Sequence, residues 1–498
     1  MFSTIFFIAL LFNAAATLRS SSYWSKFKSY FVSPDDGARE SLLTTGDSES
    51  SPSHLKEKHS ALLKKYLAVY LLAVLSDWMQ GPYVYALYLE YGYSQHEIAQ
   101  LFVAGFGSSM IFGTFIGGLA DTFGRRKFVV VFSIIYALSC VTKHFRDYWI
   151  LMIGRLLGGI ATSLLFSVFD SWLIKSHNEA GVSSFLSKSF AVAQYGNSIV
   201  AISSGLVANK AADLTKLHPI GTEGTLLSKV YVGGYLVPFD LSFCALVVCG
   251  ILVSILWGEN YGNETQSADK EEDANKKSWY SDFVEAYFTT IRSKDILYTG
   301  LVSSLFEGSM YIFVFMWTPA MKALMPDEDI PFGTVFATFM VCCMAGSSIF
   351  STFIGSMKNE KFGVFVFSAA TVAFILMTLA NTAITAIIAF LLFETTVGCY
   401  FPMMGTMKSA IVPENKRAAI YNIYRIPLNF IVLFSLLTDL TPKTSFTFCI
   451  FMLATAACLQ LRLSKRTQVI YTSVATKVAD DLELGDIAED LSTKNSED

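Results

Sequence analysis

Charged side chains interrupt several long apolar stretches of the chain, and the clearest are Asp77, Arg155, Glu307, Glu394 and Arg425. A charge in a hydrocarbon layer costs about 2.5–3.5 kcal/mol even on a lenient insertion scale, so such residues usually face a cavity or pair with one another. An arginine cannot lose its proton and can donate to two oxygens of one anion. The alternative is that each arginine pairs with a nearby carboxylate and only holds helices together.

The composition predicts that lipid surrounds most of the chain. Of its 498 residues 53% are apolar and 16% are charged, against roughly 25% charged in a typical soluble domain. A span needs about 20 mostly apolar residues, which must be helical because unpaired backbone groups are costly in lipid. Twelve such runs are predicted, near 62–90, 97–120, 128–143, 149–174, 187–208, 238–258, 297–320, 331–356, 362–380, 383–406, 419–439 and 445–462.

The runs divide into two sets of six, which predicts two six-helix halves of an all-α polytopic membrane protein. We expect an N-terminal segment and linker, a first half, a central loop, a second half and an acidic tail, at 1–58, 59–258, 259–296, 297–463 and 464–498. Lys and Arg are concentrated in the loops on one side of the spans, for example Arg125, Arg126, Lys127 and Lys408, and fewer of them, such as Lys143, are in the loops on the other side. The positive-inside rule therefore predicts that both ends of the core and the central loop are cytoplasmic.

The first 18 residues contain an apolar segment that is not one of the twelve runs. Residues 5–16 are apolar but short for a span, and they lack a basic leader, which favours a retained extra segment over a cleaved signal peptide.

Asn263 begins a glycosylation sequon that falls in the predicted cytoplasmic loop, so we interpret it as a chance match. The eight cysteines form no CxxC pair and lie in apolar runs, so no metal site or other cofactor is expected.

Polar residues recur at matching helices of the two halves. Asp77 in the first run and Glu307 in the seventh are each followed by aromatic residues. Weak internal symmetry of this kind is typical of transporters, whose binding site lies near the midplane between the halves. Further polar residues predicted to face that site come from the first, fifth and eleventh runs, namely Gln80, Tyr83, Gln194, Asn197 and Asn429.

The strongest local motif, Gly117-Gly118-Leu119-Ala120-Asp121-Thr122-Phe123-Gly124-Arg125-Arg126-Lys127, joins the second and third runs. A carboxylate at a helix end, a glycine turn and a basic run can form an ion-pair latch that breaks when the halves move. We call this the charge latch and predict that its members are Asp121, Gly124, Arg125, Arg126 and Asp170. The pattern resembles the signature of the major facilitator superfamily, and twelve spans around a long central loop are similar to that superfamily's arrangement.

Several further blocks resemble the molybdate-anion transporter family within that superfamily. They cover most of the membrane core and include Asp77–Tyr85, Gly154–Gly159, Trp257–Tyr261, Phe313–Pro319, Tyr400–Pro402 and Tyr424–Leu428. The resemblance implies uptake of molybdate across the plasma membrane. Composition and spacing do not themselves indicate molybdate.

A tetrahedral dianion needs dense hydrogen-bond donors, and Arg155 and Arg425 from opposite halves could neutralise one between them. Asp77, Glu307 and Glu394 would repel a bare dianion. They could bind a co-transported proton or balance the arginines when the site is empty, and the sequence leaves both readings open.

Other functions stay open beside a secondary oxyanion transporter. The same fold could move a sugar or an organic anion, because aromatic residues are frequent in the first and seventh runs. A transporter-like receptor or scaffold without net flux could use the acidic tail and the central loop to dock partners. The chain has no nucleotide-binding motif and no HExxH or GxSxG pattern, so ATP-driven pumping and an enzyme are not expected. It has no basic domain that would bind nucleic acid.

Overall fold

The computed structural model describes residues 1–20, 52–113, 115–221, 226–261, 279–353, 356–413 and 417–466. Helices make up almost all of this part of the chain, and a two-stranded antiparallel sheet pairs β1 (His218–Pro219) with β2 (Tyr231–Val232). The charged stretch at 269–277, the sequon at Asn263, the acidic tail from 467 and most of the predicted linker lie outside the described residues.

The first half consists of six spans that follow an N-terminal helix. Its helices are α1 (Phe2–Ser20), α2 (Pro52–Gln80), α3 (Val84–Glu90), α4 (Gln95–Gly113), α5 (Ile116–Phe123), α6 (Arg125–Thr142), α7 (Tyr148–Leu165), α8 (Val168–Glu179), α9 (Leu186–Ala212) and α10 (Val237–Leu256). Three predicted spans are built from two consecutive helices each, which are α2 with α3, α4 with α5, and α7 with α8.

The second half contributes six further spans after a short helix within the predicted central loop. Its helices are α11 (Trp279–Arg292), α12 (Lys294–Leu324), α13 (Phe332–Phe353), α14 (Asn359–Leu379), α15 (Ala383–Ile411), α16 (Arg417–Leu437) and α17 (Pro442–Arg466). Ten helical segments of the described chain are long and apolar enough to cross a membrane, and one of them is α1. The predicted all-α polytopic fold of two six-helix bundles is confirmed.

The breaks inside spans have local causes. Pro82 follows Gly81 in the first span, and a 3₁₀ turn at Gly81–Tyr83 separates α2 from α3 there, because proline cannot donate to the preceding helical turn. Gly124 has a φ of 109° between α5 and α6, a conformation that side-chain-bearing residues rarely adopt.

We name the two membrane faces by their charge. The basic face carries Arg125 and Arg126 and both ends of the twelve-span core, and the opposite face carries the turns after the odd-numbered spans. In the present arrangement the halves are joined by polar contacts at the opposite face. His96 Nδ1 lies 2.7 Å from Asp439 Oδ1, and the Gln95 amide donates to the Leu440 carbonyl over 3.0 Å.

The halves also meet along α9 and α13, where their backbones approach closely. A side chain at Gly205 or Gly333 would meet the backbone of the other helix closer than 3.0 Å. Close approach through small residues is a common mode of helix packing in membranes.

The N-terminal helix α1 packs lengthwise on α13. Phe6 and Ala9 pack beside Val341, and Thr17 Oγ1 lies 3.1 Å from Ser348 Oγ. Residues near the start of α1 contact Val341 and a residue near its end contacts Ser348, so α1 runs parallel to α13. The end of α1 at Ser20 therefore lies on the basic face. The apolar start of the chain is therefore a membrane-length helix in this structure.

Candidate functional site

Four residues of the predicted charge latch, Asp121, Gly124, Arg125 and Arg126, lie together at the basic face between α5 and α6. Arg125 Nε donates to Asp121 Oδ1 over 2.8 Å, and another guanidinium nitrogen donates to the Ser171 carbonyl over 2.9 Å. The backbone N–H of Arg126 donates to Glu259 Oε1 over 2.8 Å. A side chain at Gly124 would overlap the Glu259 carboxylate, so the glycine lets that carboxylate reach the start of α6. The sequence analysis did not assign Glu259 to the latch.

Asp170, which the sequence assigned to the latch, instead lines a small cavity together with Asp77. The cavity measures about 60 Å³, which is room for about four water molecules. Its lining comes from the first, fourth and fifth spans and consists of Tyr70, Val74, Asp77, Trp78, Leu165, Phe166, Asp170 and Asn197. Two carboxylates make this cavity better suited to water, protons or cations than to an anion.

The polar groups of this cavity are held by neighbouring side chains. The Tyr136 hydroxyl donates to Asp77 Oδ1 over 2.5 Å, and Trp78 Nε1 donates to Asn197 Oδ1 over 2.7 Å. The Tyr136 contact fixes the Asp77 carboxylate on the side of the third span.

Arg155 lies inside the first half against the second span. Its Nε donates to the Leu101 carbonyl over 3.3 Å, and its guanidinium carbon is 4.6 Å from the centre of the Phe102 ring. A side chain at Gly105 would collide with the guanidinium. Among the residues that the structure describes, no carboxylate pairs with Arg155.

Lys143, which the sequence analysis counted among the loop charges, is buried beside Arg155. Its side chain is 1% exposed, and its Nζ has no hydrogen-bond partner in the described part of the chain. The Nζ lies 5.5 Å from the centre of the Tyr88 ring. The signal that could have found it is its position as the last residue of the third apolar run.

Arg425 lies in the second half, on α16, with an exposed side chain. It interacts electrostatically with Tyr311 of the seventh span. The Tyr311 ring in turn packs 5.2 Å from Phe106 of the second span. Within the described ranges Arg425 also has no carboxylate partner, and the half-buried Asn429 follows one turn later on the same helix.

Glu307 is held by three donors of its own half. Ser303 Oγ and the Tyr400 hydroxyl donate to Glu307 Oε1 over 2.8 and 2.7 Å, and Lys408 Nζ lies 3.3 Å from the same oxygen. The sequence analysis counted Lys408 as a loop charge on the basic face. Its pairing shows that Glu307 is already neutralised within the second half.

Glu394 differs from Glu307 because it is buried without an ion-pair partner among the described residues. It is 6% exposed on α15 and interacts electrostatically with Cys342 and Cys343 of α13. No cation pairs with it in the described residues.

The remaining predicted donors are dispersed. Gln80 is buried between the first and sixth spans, where its amide donates to the Ser76 carbonyl and the Ser242 hydroxyl. Tyr83 lies at the junction of the halves on the opposite face and accepts from the Gly333 N–H over 3.3 Å. Gln194 is exposed on α9. The structure thus groups Asp77 with Asn197, and it does not bring Gln80 or Tyr83 to that cavity.

Comparison with known proteins identifies the family. Residues 37–389 match the profile of a family described as sugar transporters with twelve transmembrane segments. The molybdate-anion transporter of Takifugu rubripes is 31% identical over 394 residues, which are 75% of this chain and 78% of the relative. The molybdate-anion transporter of Danio rerio is 30% identical over 397 residues, with the same coverage.

Solved structures of transporters share the fold at low sequence identity. A bacterial homologue of the human lysosomal transporter Spinster, in an inward-facing and unoccupied conformation, has a TM-score of 0.61 at 13% identity and covers 84% of this chain and 98% of its own. The peptide transporter POT in complex with sulfate has a TM-score of 0.60 at 13% identity, with coverages of 82% and 94%. With its two six-helix halves and its charge latch, the chain belongs to the major facilitator superfamily, in the family of the molybdate-anion transporters, and is a secondary transporter.

Proposed function

We propose that this transporter carries a small tetrahedral oxyanion, and that the anion is molybdate. The observation that carries the proposal is the state of Arg155 and Arg425, which come from opposite halves and have no carboxylate partner among the described residues. Charges kept in a membrane domain almost always face a cavity or pair with one another, so two guanidinium groups without a carboxylate partner are candidates for the path of an anion. The names of the relatives support molybdate in particular.

The proposed mechanism is rocking of the two halves around this pair. We assign the basic face to the cytoplasm on the positive-inside rule and the membrane to the plasma membrane. The contacts at Gln95, His96, Gly205 and Gly333 would then close the extracellular side. An anion drives the exchange only through different affinity for the two states.

The proposal includes coupling to protons, which Asp77 and Glu394 would bind. Asp77 lines the acidic cavity beside Asp170, and Glu394 is buried without a cation among the described residues. Glu307 is less suited to carry a proton, because Lys408 already balances its charge. Its proposed role is charge balance.

The test is uptake of labelled molybdate into proteoliposomes, with sulfate as competitor and with an imposed pH gradient. R155K and R425K should each abolish most uptake, because lysine cannot make the bidentate contact of a guanidinium group with an oxyanion. R146K is the matched control, since Arg146 stacks on Tyr231 at the opposite face outside the proposed site. Wild-type protein that accumulates no molybdate in sealed vesicles would refute the proposal.

A sugar is the second candidate substrate, because the family profile is described as one of sugar transporters. Aromatic side chains such as Phe102, Phe106 and Tyr311 lie between the two arginines and could stack on a sugar ring. Uptake of a neutral hexose that survives R425K, together with absent molybdate uptake, would favour this candidate.

A further inference from the structure

Two polar groups are buried without partners at the opposite-face end of the first half. Lys143 Nζ and the Tyr88 hydroxyl both lack a hydrogen bond in the described structure. Their side chains are 1% and 0% exposed. Buried polar groups are nearly always hydrogen-bonded, and a buried ammonium without a partner is especially unfavourable.

The Arg155 guanidinium completes a group of three donors. Arg155 directly follows Gly154, whose position faces Lys143 Nζ, and it interacts electrostatically with both Lys143 and Tyr88. A positive charge on Lys143 would repel that of Arg155 in a region of low dielectric. Asp77 of the first span accepts from the Tyr136 hydroxyl, and Asp240 of the sixth span is paired with His144. No carboxylate of the described chain pairs with Lys143 or Arg155.

The surrounding backbone is arranged to keep Lys143 in this position. The Tyr91 hydroxyl donates to the Lys143 carbonyl over 2.7 Å, which fixes the end of α6. Gly154 lets the fourth span approach this end of α6, because a side chain there would overlap Thr142 and would lie 3.3 Å from Lys143 Nζ. The flexible lysine stem lets Nζ move aside to admit a ligand.

We infer that Lys143, Arg155 and Tyr88 form a binding site for a tetrahedral oxyanion at the opposite-face end of the first half. The inference rests on the proposed function and adds a second position for the same class of substrate. Two positive charges match a dianion, and the ammonium, the guanidinium and the phenol together supply donors to several of its oxygens. All three residues belong to one half, so this site does not depend on how close Arg425 approaches. It would receive the anion at the face that we assign to the exterior.

The test measures equilibrium binding of labelled molybdate and of labelled sulfate to the purified full-length protein in lipid nanodiscs. K143M should weaken binding of the dianion by about tenfold to a hundredfold, as expected for one lost charge-assisted contact. K143R should retain binding to within a few fold. K322Q is the matched control, because Lys322 also ends a span at the opposite face and lies over an aromatic ring, Phe332, in the other half.

Thermal unfolding distinguishes a binding role from a structural one. Without anion, K143M should unfold at a higher temperature than wild type, because an apolar side chain replaces a buried unpaired charge. The stabilisation that added molybdate or sulfate gives to wild type should be much smaller in K143M. A K143M protein that is folded and binds both anions like wild type would overturn the inference and leave the proposed function standing.

The other outcomes separate the two proposals. Wild-type binding of sulfate but not molybdate, with loss in K143M, would support the oxyanion site and refute molybdate as substrate. Binding of neither anion to wild type would refute both. Equal loss in K143M and K322Q would show a general effect of positive charge at this face and would also overturn the site.

Discussion

The close contact of Gly333 with α9 predicts that its substitution changes the balance between transport states. In G333A the new methyl group would approach the backbone of Gly205 and Asn209 closer than 3.0 Å. Real side-chain carbons do not tolerate that distance, so the two halves must separate at the opposite face. Overpacking of this kind costs about 1–3 kcal/mol. Because the contact joins the halves, the cost falls on the closed state alone and shifts its equilibrium by about 5- to 150-fold.

Distances between spin labels at the opposite face measure this shift. Leu214 and Glu328 are exposed there, one in each half. Labels at these two positions, in a background where the exposed Cys244 and Cys458 are replaced by serine, should report one short distance in wild type. A longer distance should dominate in G333A.

The matched control is G398A. Gly398 packs against the Cys343 backbone inside the second half, and a side chain there would overlap that backbone as severely. This contact does not join the halves, so G398A should lower the unfolding temperature and leave the label distances unchanged. If G333A keeps the wild-type distances and loses stability like G398A, the assignment of the α9 and α13 contact to a transient closed state is wrong.

Three further predictions concern stability. Removing one partner of the mostly buried Glu307–Lys408 ion pair leaves the other charge uncompensated, so E307Q and K408M should each lower the unfolding temperature. In a double-mutant cycle the double variant should recover much of this loss. Additive losses would contradict the pairing. Burial lowers the pKa of His144, but bonds to the Asp240 carboxylate and the Tyr231 carbonyl outweigh it and raise the pKa above 6.5. Because its pKa is raised in the folded state, the charged form of His144 contributes stability that is complete below about pH 6.5 and is lost as the pH rises through the folded pKa. D240N should therefore destabilise the protein more at pH 6 than at pH 9. Equal destabilisation at both pH values would refute the pair. Asp147 accepts from the N–H groups of Trp149 and Ile150 at the start of α7, so D147A should cost about 1 kcal/mol, measured as a lower unfolding temperature that D147N largely restores.

The spans could be predicted from sequence because their cause is local. A membrane segment requires a certain length of apolar residues whatever its neighbours are, and all twelve runs correspond to helices of the core. The division of the fourth span between α7 and α8, near Phe166, was not predicted, since no proline marks it. It depends on packing against other spans.

The charged partners at the span ends were harder to predict. Lys143 and Lys408 were counted as loop charges because each closes or follows an apolar run. Whether such a lysine extends to water or turns inward depends on the depth and tilt of its helix, and neighbouring helices set both. The same limit applies to Gln80, whose amide faces Ser242 inside the first half.

The two halves differ in whether their buried charges are paired. This difference affects how a substrate could drive the rocking motion. In the second half Glu307 is balanced by Lys408. In the first half Arg155 and Lys143 lack a carboxylate among the described residues. Under the proposed assignment, an empty carrier that moves Arg425 toward Arg155 brings like charges together in a medium of low dielectric, where repulsion is strong. A bound dianion turns that repulsion into attraction, so the loaded carrier gains the differential affinity between states that any ligand-driven change requires.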